Sequence, residues 1–200
     1  MKKIILSMAL FFSVSISFCQ SFMHGVGITV IGTNGLRGNS KIGYGEGFTY
    51  SPRFNFLEKE KFSVSVGIPL SVGLSASTST VTDQYGDNSS SIGVIVNIPV
   101  IVSLNMGRGS TKANRQKFGY FVGVGFGYHH GDYISDGIYD PNTGTYTDSY
   151  SSNTLGPAMN AGVRLGVGRK HKNIEIRLSY MKGLNESKPD IFGIAGLFNF

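Results

Sequence analysis

Large apolar residues alternate with small residues over one long stretch of the chain. Every even-numbered residue from Phe62 to Leu74 is large and apolar, and every residue between them is Ser, Gly or Pro. A period of two predicts a β-strand with one apolar face and one face of small groups. A face of Gly and Ser suits a narrow enclosed lumen better than an open surface in water. The pattern therefore favours a wall whose apolar face points outward, toward a membrane.

The same alternation recurs along the chain and predicts eight strands. They cover residues 22–31, 42–56, 62–75, 92–105, 118–128, 155–167, 174–181 and 191–200. Most reach the roughly 9–11 residues that a tilted strand needs to cross a bilayer. An unpaired strand edge in hydrocarbon costs several kcal/mol for each unsatisfied backbone group, so the set must close on itself. We therefore predict one all-β domain over residues 20–200, an eight-stranded antiparallel up-and-down transmembrane β-barrel.

The predicted connections are asymmetric in length and in charge. Short turns at 57–61 and 168–173 are rich in Lys and Arg, whereas the long loops at 76–91 and 129–154 contain Asp and neither Lys nor Arg. Outer-membrane barrels have short periplasmic turns and longer extracellular loops. The long loops are therefore expected outside the cell. Two connections depart from this rule, because 106–117 is long for a turn and 183–190 is short for a loop.

The first residues have the form of a secretory signal peptide. Lys2 and Lys3 precede an apolar stretch that ends near Cys19, and cleavage after Cys19 would make residues 1–19 the signal. The alternatives are a membrane anchor and a lipoprotein whose Cys19 is lipidated. The net charge of +6 includes both lysines, and the other cations do not form one basic face, so no nucleic-acid partner is expected.

Two segments resemble a known family. Residues 96–102 (VNIPVIV) are similar to a strand common in Bacteroidetes barrels, and the last strand ends in Phe200, like the signal that the barrel-insertion machinery recognises. The chain thus resembles small outer-membrane barrels such as the OmpA transmembrane domain, OmpX and the opacity proteins. The resemblance implies a monomer in the bacterial outer membrane, with lipid, lipopolysaccharide and the insertion machinery as partners. It implies no cofactor, and no cell-wall-binding domain is expected after the barrel.

Several charged residues share the predicted lumen face. Because an unpaired charge there would be costly, we expect Glu175 to pair with one or more of the arginines. The predicted lumen network consists of Arg53, Arg164, Glu175 and Arg177.

The long loops hold the candidates for surface interaction. Adjacent His129 and His130 would point to opposite faces of a strand and could not easily share a metal, so no metal site is expected. Residues 140–144 (DPNTG) could form a calcium loop but read better as a tight turn, which would cap a hairpin that extends the barrel above the membrane. The loop candidates are His129, His130, Asp132, Tyr133 and Tyr139.

Three functions are compatible with this pattern. We expect a non-enzymatic barrel with a packed lumen, whose role is structural or is binding of a surface ligand through loops 76–91 and 129–154. One alternative is a lipid-modifying enzyme that uses His129 or His130 with Ser135. The other is a narrow pore.

Overall fold

The computed structural model describes residues 21–36, 41–78, 90–140, 145–168, 171–185 and 188–200. The predicted signal peptide and most of loop 76–91 lie outside these residues. Eight barrel strands are present in the described part of the chain, three of them interrupted by one or two residues. They are β1 (Ser21–Met23 and Gly25–Leu36), β2 (Lys41–Tyr50 and Arg53–Glu58), β3 (Phe62–Gly67 and Leu70–Thr78), β4 (Ser90–Gly107), β5 (Phe118–Asp140), β6 (Thr145–Gly166), β7 (Asn173–Lys182) and β8 (Asp190–Asn199).

Each strand pairs with its sequence neighbours in antiparallel register, and β8 closes the sheet on β1. The closing pairs run from Gly25 opposite Asn199 to Asn34 opposite Asp190. The remaining pairs follow chain order around the wall. The predicted fold class is confirmed: the protein is an up-and-down barrel without a free edge among the described strands. We call the end of the barrel where β1 begins and the chain ends the terminal end. The opposite end is called the hairpin end, after the β5–β6 hairpin described below.

Prolines account for two of the strand interruptions. Pro52 interrupts β2 and Pro69 interrupts β3, since proline has no N–H for the ladder. The wall still holds together there, because the Ile68 N–H donates to the Pro52 carbonyl at 3.1 Å. Pro99 of the adjacent strand β4 stays within its strand, opposite Gly127.

The barrel reverses the usual burial pattern of a soluble protein. Most apolar side chains lie outside, with Phe48 77% exposed, whereas polar and small residues and a smaller set of apolar ones are buried in the lumen. An apolar band on the outside and a polar interior are the features of a membrane-spanning barrel. The described residues contain no helix long and apolar enough to cross a membrane.

Strands β5 and β6 extend further than the alternation predicts. The predicted strands end at Tyr128 and begin again at Leu155, with a hairpin expected within the loop 129–154. In the structure β5 and β6 stay paired as far as Asp140 opposite Thr145, with a register shift between Ile134 and Ile138. The predicted strand bounds were too short, because these residues lose the apolar alternation while keeping their backbone pairing. The result is a two-stranded hairpin that rises beyond the barrel wall, and the predicted turn at 140–144 falls mostly outside the described residues.

The outward face of β5 provides a test of the membrane-facing wall. Val124→Arg places a cation in the middle of the apolar band and should lower the free energy of unfolding by about 2–4 kcal/mol in lipid vesicles. Phe118→Arg lies on the same face at the strand end, where the cost falls to about 0–1 kcal/mol. Equal costs in denaturant titrations of the two folded variants would contradict this placement of the band.

Candidate functional site

Glu175 is the centre of a charged network inside the barrel. It lies opposite Arg164 in the register of β6 and β7, and Arg177 follows on the same face of β7. The Arg164 Nε donates to Glu175 Oε2 at 2.6 Å, and the Arg177 Nε donates to Oε1 at 2.9 Å. The Glu175 side chain is 0% exposed and that of Arg164 1%. Two guanidinium groups therefore hold one carboxylate away from water.

Arg53 joins this network through an amide rather than through the carboxylate. The Oδ1 atom of Asn105 accepts from Arg53 Nη1 at 3.1 Å and from Arg164 Nη1 at 2.9 Å. On the other side, Asn199 Nδ2 donates to Glu175 Oε2 at 3.0 Å. The structure thus brings all four predicted charged residues together. Asn105 and Asn199 were not singled out in the sequence, although both occupy inward positions of their strands.

The aromatic ring of Phe121 lies close to two of the arginines. The Arg164 guanidinium lies 4.2 Å from the ring centroid of Phe121, and that of Arg177 lies 5.7 Å away. Phe121 occupies an inward position of β5 among the inward glycines 119, 123 and 127, and is itself buried. Cation–π contacts of this kind stabilise guanidinium groups that are removed from water.

The long connection between β4 and β5 closes the terminal end. Residues 108–111 are buried, and the Gly109 carbonyl accepts from Arg53 Nη2 at 2.8 Å. Asn55 Nδ2 donates to the Ser110 carbonyl at 2.9 Å. Gly109 has φ +74°, and a Cβ there would stand 2.8 Å from Arg164 Cδ, so only glycine fits. We call residues 108–117, the connection between β4 and β5, the plug.

A layer of apolar side chains crosses the lumen nearer the hairpin end. These residues point inward from five different strands and contact one another in a single buried cluster. Its members are Ile31, Ile95, Ile101, Ala158, Met181 and Ile191. The lumen is therefore occupied at two levels, by charges toward the terminal end and by hydrocarbon toward the hairpin end.

The two histidines at the base of the hairpin lie on opposite faces. His129 is 1% exposed and faces the lumen opposite Thr154, so its assignment to an exposed loop was wrong. His129 faces the lumen because β5 continues past Tyr128, and the alternation of the strand then gives it an inward position. His130 faces outward, and its Nδ1 lies 2.7 Å from Asn153 Oδ1, which also accepts from the Tyr128 hydroxyl at 2.8 Å.

The other sequence candidates are placed only in part. Asp132, Tyr133 and Tyr139 belong to the projecting part of β5, where only the backbone is described. Phe200 exchanges backbone hydrogen bonds with His24 and stacks on its ring, with centroids 5.8 Å apart. The described residues contain no cluster of three or more His, Cys, Asp or Glu that could hold a metal ion.

Comparison with known proteins finds similarity in solved structures alone. No protein-family model and no curated protein matches the chain. The attachment invasion locus protein Ail of Yersinia pestis, solved with a heparin analogue, is 13% identical, with 90% of this chain and 98% of that chain covered and a TM-score of 0.49. Neisserial surface protein A is 9% identical over 90% and 97% of the two chains, with a TM-score of 0.49. OprG of Pseudomonas aeruginosa is 12% identical over 90% and 95%, with a TM-score of 0.46. Likenesses this distant identify neither a family nor a function.

The buried carboxylate can be tested against an exposed one. Glu175→Gln keeps the side-chain shape but leaves Arg164 and Arg177 without their counter-charge, and should lower the free energy of unfolding by about 3–5 kcal/mol. Asp190→Asn removes the carboxylate of the partly exposed ion pair with Lys182, which should cost at most about 1 kcal/mol. Denaturant unfolding of both variants measures the difference, and a similar small loss in both would contradict a network that depends on Glu175.

Proposed function

We propose that the protein is a non-enzymatic, non-conducting barrel of the bacterial outer membrane that presents a binding hairpin to the outside. Two features found together carry the proposal: the lumen is occupied, and strands β5 and β6 continue past the barrel wall. The apolar outer face supplies the membrane anchor. A closed antiparallel barrel is how strands cross a membrane, and bacterial examples lie in the outer membrane.

The contents of the lumen argue against a pore. The charged network, with the plug bonded to it, occupies the lumen toward the terminal end, and the apolar layer occupies it toward the hairpin end. A cavity of about 30 Å³ is lined by Arg177 and by members of the apolar layer, and it has room for one or two water molecules. A filled interior is also the expectation for a barrel of eight strands.

The hairpin is the part of the protein that we propose binds a ligand. Beyond Gly131, the last residue that pairs with β4, strand β5 continues to Asp140 and pairs with β6 at 132–134 and 138–140. Segment 129–154 contains four aspartates and several tyrosines but no Lys or Arg. Such a composition favours a cationic or hydrogen-bonding ligand over a polyanion, because like charges across an interface cost free energy. The ligand would be a molecule at the cell surface.

Catalysis by the histidines receives no support from their geometry. A shared site would need His129 and His130 to converge, whereas one is enclosed in the lumen and the other faces outward beside Asn153. The lipid-modifying alternative is therefore less well supported than the binding role.

Labelling in intact cells tests the proposed orientation. In a chain whose one cysteine is Cys19, Ser149→Cys in the hairpin should react with a membrane-impermeant maleimide added outside. Lys112→Cys in the plug region, exposed at the terminal end, should react after the outer membrane is permeabilised. The reverse pattern would overturn the orientation, and with it the binding role of the hairpin.

Planar-bilayer recording tests the occupied lumen. The purified protein should show no stable conductance steps, because the charged network with its plug and the apolar layer both occupy the lumen. A general porin inserted under the same conditions serves as the positive control. Steady steps of reproducible size from the wild-type protein would establish a pore instead.

A further inference from the structure

Glu46 is an acidic side chain on the lipid-facing side of the wall. It lies between Tyr44 and Phe48 on the outward face of β2, opposite Val30 of β1 and Leu74 of β3. Glu46 is exposed, and these four apolar or aromatic neighbours are between 47% and 77% exposed. An ionisable group in such surroundings is a candidate binding site, because a charge beside hydrocarbon is costly without a partner.

The carboxylate of Glu46 has no such partner within the chain. It makes no hydrogen bond or ion pair with the residues whose side chains the structure describes. Asp190, which also faces outward in the described wall, accepts from Lys182 Nζ at 2.8 Å and from the Tyr180 hydroxyl at 2.6 Å. The contrast leaves Glu46 available to a cation from outside the chain.

The register of the barrel places Glu46 at the hairpin-end margin of the apolar band. Paired residues followed from Glu46 through β1 and β8 and on around the wall return to β2 at Leu57, near the terminal end. Paired positions therefore descend toward the terminal end, because the strands of a closed barrel are tilted. With this descent shared equally among the strands, Glu46 lies level with Tyr128 of β5 and Lys182 of β7. Tyrosines and charged groups mark the depth of lipid headgroups.

An apolar groove extends from Glu46 along the outer wall. Its volume is about 680 Å³, within the range of small-ligand sites. Ile28 and Phe48 pair with each other on the terminal-end side of Glu46, deeper in the apolar band. The outward side chains that line the groove are Ile28, Val30, Tyr44, Glu46, Phe48 and Leu74. The groove thus has a hydrocarbon floor and one charged group at its shallow end.

Space for a headgroup is present beside Glu46. Gly32 follows Val30 on the outward face of β1 and pairs with Tyr44, and a Cβ on Gly32 would meet nothing within 4 Å. The Tyr44 ring next to this space is 58% exposed. A carboxylate beside an aromatic ring suits an ammonium group, which gains a charged hydrogen bond from one and a cation–π contact from the other.

We propose that this groove binds a membrane lipid whose headgroup carries an ammonium group. The ammonium lies between Glu46 and Tyr44, and an acyl chain lies along Ile28 and Phe48. A bound Ca²⁺ would need six to eight oxygen ligands, whereas Glu46 is the one carboxylate among the residues that line the groove. A headgroup with negative charge alone would be repelled by this carboxylate. The site does not depend on the proposed binding role of the hairpin.

Native mass spectrometry of the purified protein in mixed micelles tests the headgroup preference. Phosphatidylethanolamine and phosphatidylglycerol with the same acyl chains are supplied at equal concentration. The wild type should retain one phosphatidylethanolamine about tenfold more often, which is the preference that one charged hydrogen bond supports. Equal retention of the two lipids would overturn the proposal, and so would a lipid-free dimer, in which a second copy covers the groove.

Matched variants locate the preference. Glu46→Gln removes the charge from an exposed side chain and should abolish the preference for phosphatidylethanolamine. Glu60→Gln makes the same change at an exposed position between β2 and β3 at the terminal end and should retain it. Gly32→Phe fills the open space beside Tyr44 and should lower the retention of phosphatidylethanolamine. A preference that survives in folded Glu46→Gln would refute the role of this carboxylate.

Photo-crosslinking locates the acyl chain. Phosphatidylethanolamine with a diazirine on its acyl chain should label the wild type chiefly at the strands of the groove, near Ile28 and Phe48. Labels spread evenly around the barrel would mean that the wall is covered by ordinary bilayer lipid without a site, which would overturn the proposal.

Discussion

The need of every backbone N–H and C=O for a hydrogen bond in hydrocarbon governs the whole structure. It requires β8 to pair with β1, as Gly25 does with Asn199, and so turns eight strands into one closed wall. Even the interrupted strands obey it, because the Pro52 carbonyl still receives the Ile68 N–H. Once the wall is closed, one side of every strand faces lipid and the other faces a narrow lumen. The burial pattern then follows from the period of two.

The narrow lumen imposes a second requirement, which concerns charge. Inward positions near the terminal end carry guanidinium groups that cannot reach bulk water, so they gather around Glu175, Asn105 and the Gly109 carbonyl. Removing one partner from such a set costs more than the set contributes as a whole, because the others remain buried. The charged network therefore specifies which residues must face one another more than it adds stability. The plug belongs to this network as much as to the chain connections.

Filling the lumen also decides where the protein can meet other molecules. With charges, plug and hydrocarbon along the axis, recognition is left to the ends, where the described residues include the paired extension of β5 and β6. Its backbone pairing beyond Gly131 makes it a stiffer platform than a loop of the same length. Its aspartates lie at the opposite end of the barrel from the exposed lysines of the plug and the short turns.

The sequence by itself determined the strands, their number and the face that each one turns to lipid, because alternation in steps of two is a local property of the chain. The inward placement of Arg164, Glu175 and Arg177 followed from the same alternation of inward and outward positions. The tertiary structure alone decided which of these residues meet, since the register between β6 and β7 sets Arg164 opposite Glu175. It also decided that the strands continue into the expected hairpin with His129 enclosed, and that residues 108–111 are buried inside the barrel. Those outcomes depend on backbone pairing and on the shape of the closed lumen, which side-chain periodicity does not encode.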